Sequence, residues 1–168
     1  MHKARLLRQP DLVDTVQKSA LFPCADPANF GYWSNEKMLD FLRDLLETER
    51  IGIRAFAAIG RAADVHIADL AFESELAQGA ICVLLKKEIA ARGGAEWSRP
   101  IKKSVLAMPH PKSGLQRMIT FARCNQTKLS DMMEQAVLNT FDSKLNAKLV
   151  YLLLLHRKQV EQLETFAA

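Results

Sequence analysis

The chain has 168 residues, 49% hydrophobic and 25% charged, with a formal net charge of +4 and a pI near 9.1. That is enough for one domain with a sizeable core, and too balanced for a fibrous or disordered protein. The longest apolar runs, such as Val150 to Leu155, fall far short of the roughly 20 residues that span a bilayer, and the cations are scattered among acids without interleaved aromatics, so neither a membrane span nor nucleic-acid binding is expected.

The basic start is broken by Arg8, Gln9, Pro10, Asp11 and Asp14 and lacks the apolar centre of a secretory signal. Cys24, Cys82 and Cys124 have no metal-type spacing and cannot all pair, which fits a reducing cytoplasmic setting. Residues 1–35 read as an N-terminal arm: a short helix from Asp11 to Leu21, then the loop FPCADPANFGYW. Phe22, Phe30, Tyr32 and Trp33 are expected to cover an apolar groove of the remaining chain, in preference to gripping a second subunit.

Residues 36–168 divide into four helices. Ser34 or Asn35 caps the first, which runs to about Ala62; Asp64 caps the second, which stops near Arg92 at Gly93-Gly94. The connection between them is so short that they form an antiparallel hairpin. About twenty residues with Pro100, Pro109 and Pro111 follow, a length that fits a crossover better than a turn. The third helix is expected over Leu115 to Leu138, and the fourth from about Asp142 to Phe166 after a break at Asn139-Thr140. The expected fold is an all-α, antiparallel four-helix bundle of two hairpins joined by a long crossover.

Each apolar stripe is interrupted once by something polar. Glu49 stands among Leu42, Leu45, Leu46, Ile53 and Phe56; Glu75 and Gln78, three apart, stand between Ala71 and Ile81; Gln126 lies between Ala122 and Leu129, and His156 between Leu152 and Val160. Counted from its own hairpin turn, each lies about 17 to 24 Å along the helix axis, so all five are expected in one layer. A buried carboxylate is costly unless paired, hydrogen-bonded or bound to a cation. His2, His66 and His110 have no partner at ligand spacing and read as solvated, and no nucleophile or phosphate-cradling motif is present.

The segments LLETERIGIRAF, ESELAQGAICVLLKKEIAARGG, FARCNQTKLSDMMEQAVL and LLLLHRKQVEQ resemble the ferritin-like superfamily, and within it a small uncharacterised bacterial family of ferritin-like domains of unknown function. The resemblance covers about Met38 to Glu164. Complete sites of this kind use one Glu on each of two helices and a Glu-x-x-His on each of the other two. It therefore implies ligand roles for Glu49, Glu75 and His156, while Gln78 stands at a His position, and Gln126 and Leu153 at Glu positions. That set is too small for an ordinary di-iron centre.

Two functions of different class follow. In the favoured one the layer is a polar network, with Gln78 and Gln126 bridging Glu49, Glu75 and His156, and the protein acts by binding a partner or a second copy of itself. In the alternative, Glu49, Glu75 and His156 hold one iron, manganese or zinc ion, in a mononuclear metalloprotein or oxidoreductase. Neither names a substrate or reaction.

Overall fold

The structure is a computed structural model and describes residues 27–95, 108–110 and 114–166. After a short 3-10 turn at Pro27–Phe30 come four helices: α1 (Asn35–Ala62), α2 (Val65–Ala91), α3 (Leu115–Asn139) and α4 (Ser143–Glu164). Among the described residues, no helix is long and apolar enough to cross a membrane. The expected arm helix at Asp11 to Leu21 and most of the crossover lie outside the described residues.

Local chemistry sets the helix ends. Ser34 Oγ accepts from Lys37 N at 3.2 Å and Asp64 Oδ1 from Ile67 N at 3.2 Å, while Asp142 Oδ1 accepts from the backbone N–H of Lys144 and of Leu145. At the end of α2, Gly93 takes φ +73°, its N–H bonds Ala90 O, and the N–H of Gly94 reaches back to Ile89 O. Those paired bonds satisfy carbonyls the helix leaves open, and a left-handed φ favours glycine there.

α1 packs against α2 and α3, and α3 against α4. Trp33 N donates to Asn139 O, and a β-carbon on Gly94 would touch Leu39, so the start of α1 and the ends of α2 and α3 share one end of the bundle. α2 and α3 therefore run parallel, so the end of α2 and the start of α3 lie at opposite ends of the bundle. Salt bridges of Glu88 with Lys148 and of Arg92 with Asp142 tie α2 to α4 at that end.

Three of the arm's aromatics fall among the described residues. Trp33 packs on the core and on the Phe41 ring, with Lys37 Nζ 4.9 Å from the Trp33 ring centroid. Phe30 and Tyr32 instead lie on Phe141 and stay exposed. Phe22 is outside the described residues.

The buried side chains fall into two apolar clusters. One is built around Leu42, Leu45, Leu85, Leu129, Met133 and Leu152, the other around Phe56, Ile59, Ala71, Ile119 and Ala122. On every helix, the residue at which one cluster gives way to the other is polar.

Candidate functional site

Those boundary residues are Glu49 on α1, Gln78 on α2, Gln126 on α3 and His156 on α4, each with none of its surface exposed. Each helix buries an i, i+3/i+4 stripe toward the axis, so a polar residue on the stripe is carried inward with its apolar neighbours.

His156 is the hub. Its Nδ1 lies 2.5 Å from Gln126 Oε1, and its Nε2 lies 2.9 Å from Glu49 Oε1. The second contact is close in distance but off hydrogen-bond alignment, so Nε2 has no hydrogen-bond partner among the described residues. Both ring nitrogens thus lie close to protein oxygens, and only Nδ1 is bonded to one.

Gln78 reaches the layer through a gap in α1. A β-carbon on Gly52 would sit 2.5 Å from Gln78 Oε1 and 2.6 Å from Nε2. The missing side chain of Gly52 is the space the carboxamide fills. Both polar atoms of Gln78 lack a hydrogen-bond partner, as do both oxygens of Glu49 and Nε2 of Gln126. Buried polar atoms in folded proteins are matched by protein, water or ions.

Of the five residues expected in one layer, Glu49, Gln126 and His156 lie in contact, Gln78 sits against Gly52 without the hydrogen bonds expected of a bridge, and Glu75 stands apart. Glu75 is only half buried and lies on the rim of an outer groove with Ala57, Gly60, Arg61, Ala68, Asp69 and Phe72. Residues three apart differ by about 60° around a helix, and on α2 it is Gln78, with Ser74 and Ile81, that faces the axis. Leu153, at the implied Glu position before His156, is ordinary core. Among the described residues, no three His, Cys, Asp or Glu side chains come close enough to share a metal ion. His66 and His110 are exposed.

Several buried polar residues were not legible in advance. Gln159, three residues beyond His156, is buried with Oε1 unpartnered; Asn125 Nδ2 donates to Thr48 O at 3.4 Å; Ser130 Oγ donates to Gln126 O at 3.1 Å. Gln159 shares the inward face of His156, which was the available signal. Asn125 and Ser130 carry no such signal, because side chains of these types are commonly satisfied by nearby backbone.

Next to the layer, Cys82 is buried, and burial first and the Glu49 charge second push its thiol up to about 11. A separate groove of about 430 Å³ lies at the bundle end beside Trp33, Met38 and Leu145. It is about 16 Å along the axis from the layer, and two of its cations, Arg92 and Lys148, are already paired with Glu88.

No family model matches this chain, and no curated protein does. The fold does have a counterpart: a crystal structure of ferritin-like, diiron-carboxylate proteins from Bacillus anthracis str. Ames superposes with a TM-score of 0.68 at 14% identity, covering 80% of this chain and 97% of that one. At that identity the likeness concerns the fold, and the fold is ferritin-like.

Proposed function

We propose that this ferritin-like bundle acts by associating with protein, and that its buried layer is a structural network fixing helix register rather than a catalytic metal centre. The observation that carries this is the setting of His156, whose Nδ1 is hydrogen-bonded with Gln126 and whose Nε2 lies 2.9 Å from Glu49. An imidazole ligates metal through a free lone pair; Nδ1 is taken up by Gln126, and Nε2 is crowded by the Glu49 carboxylate without an aligned bond to it.

The residues present do not fit a di-metal site. The layer offers one carboxylate and one imidazole, with carboxamides at two positions where the resemblance implies a His and a Glu, and Glu75 stands on the outer groove. A carboxamide brings a neutral oxygen that cannot offset the charge of two divalent ions. No reaction is assigned. Free Cys82 and Cys124 accord with a reducing compartment, and we place the protein in the cytoplasm.

The unpartnered atoms of Glu49, Gln78 and Gln126 favour a second reading, in which one iron, manganese or zinc ion is held by Glu49 with carboxamide oxygens and a turned His156. Thermal unfolding with chelator, and with each of the three metals added, separates the two. The network reading expects one melting temperature throughout, whereas a resident metal raises it in proportion to its binding free energy. A midpoint that falls with chelator and is restored by one metal overturns the network.

A further inference from the structure

The outer face of α2 is apolar where a helix facing only water would be polar. Val65, Phe72, Leu76 and Val83 are 73%, 60%, 58% and 54% exposed. At about 100° per residue they fall within an arc of roughly 40°, a continuous stripe some 27 Å long. Beside Phe72 the stripe borders the groove of about 370 Å³ between α1 and α2, floored by Ala57, Gly60 and Ala68.

We propose that this stripe is the contact through which two copies of the chain dimerise, with α2 antiparallel to the partner's α2 about a twofold axis at the level of Ser74. The inference deepens the reading that the protein acts by association, and rests on it. The residue types on the stripe repeat about that level. Val65 and Val83 are equidistant from Ser74, and so are Phe72 and Leu76, so a twofold sets valine against valine and phenylalanine against leucine.

The groove borders the stripe on its α1 side at the level of Phe72 and adds apolar surface there. An isologous contact sets a surface against a second copy of itself, which the repeat about Ser74 allows and an unrelated partner would not require. The four apolar side chains expose on the order of 400 Å², about half of the ~800 Å² per partner of a standard interface, and the α1 side of the groove supplies more. A contact of that size is at the small end of specific interfaces, so the dimer is sought across the micromolar range.

Light scattering of the full chain from about 1 to about 200 µM tests the proposal. The expected result is a mass rising from monomer to dimer, with Leu76→Glu and Phe72→Glu each weakening the dimer at least about tenfold, while Tyr151→Glu on the exposed face of α4 leaves it unchanged. Unaltered circular dichroism of the variants shows that they fold. A second measurement uses two chains, one Phe72→Cys and one Leu76→Cys, both with Cys24 and Cys124 replaced by Ser. Mixed and oxidised, they should cross-link to each other more readily than either to itself. A monomer at every concentration, a dimer unmoved by Leu76→Glu, or one broken by Tyr151→Glu overturns this interface. Metal found in a dimeric sample overturns the structural-layer reading and leaves the interface standing.

Discussion

The carboxamide of Gln78 occupies the space that a side chain on Gly52 would need. Gly52 therefore belongs with the polar residues although it carries no polar group: it leaves room in the wall of α1 for the buried carboxamide of α2.

Gly52→Ala should be close to neutral. The group displaced is the end of a flexible side chain, and the packing cost, at the low end of ~1–3 kcal/mol, is offset by about 1 kcal/mol of helix propensity. Gly52→Val should cost about 2–3 kcal/mol, and Gln78→Ala in the same chain should relieve part of that loss. Urea unfolding of the two single variants and the double variant measures the coupling; additive effects would separate the two residues.

Glu49→Gln removes a buried charge at constant volume, leaves an oxygen beside His156, and should change stability by less than about 1 kcal/mol or raise it. Glu49→Ala leaves His156 Nε2 facing a cavity and should cost about 3–5 kcal/mol. Chemical denaturation of both variants at neutral pH measures the contrast, and equal losses would contradict a network in which the oxygen matters more than the charge.

Glu88 makes the α2–α4 end sensitive to acid. Burial alone would raise its carboxyl, but hydrogen bonds from Lys148 and Arg92, helped by their charges, pull it below the ordinary value of 4.5. Asp142 is lowered too: burial opposes the shift, while the N–H groups of Leu145 and Lys144 and the Arg92 guanidinium outweigh it. A folded-state value below the unfolded one means that the unfolded chain binds more protons. This stabilisation is complete above the ordinary carboxyl range and is lost as pH falls through the folded values. Glu88→Gln should flatten the decline of the urea midpoint below about pH 5. An acid limb of unchanged slope would show that the pairing contributes nothing.

Cys82 and Cys124 should separate in a timed alkylation followed by mass spectrometry. Cys124 is exposed, whereas Cys82 is buried and its thiol is pushed up to about 11. At neutral pH Cys124 should react in the native protein and Cys82 only on unfolding. Equal rates would mean that the core around Glu49 opens readily.

Much of this architecture could be read before any coordinates. Ser34, Asp64 and Gly93-Gly94 carry cap chemistry that depends on few neighbours, and the ends of α1 and α2 follow from it. Glu49, Gln126 and His156 stand out because the apolar residues around them leave little doubt about the inward face. α2 was harder to read, since Phe72, Leu76 and Val83 point outward while Ile81, Leu85 and Ile89 point inward, and an apolar helix has no polar side to fix its rotation. Sequence spacing therefore allowed both Glu75 and Gln78 into the layer, and packing against α1 admits Gln78. The role of Gly52 was hidden as well, because a glycine within a helix shows its cost in propensity but not the neighbour it makes room for.

Elemental analysis of untagged protein purified without chelator, with iron, manganese and zinc expressed per chain, is the most direct test of a structural rather than metal-holding layer. The account predicts far less than one ion per chain in a folded sample, with no change on His156→Ala beyond a loss of stability. Close to one ion per chain, lost in that variant, would contradict it.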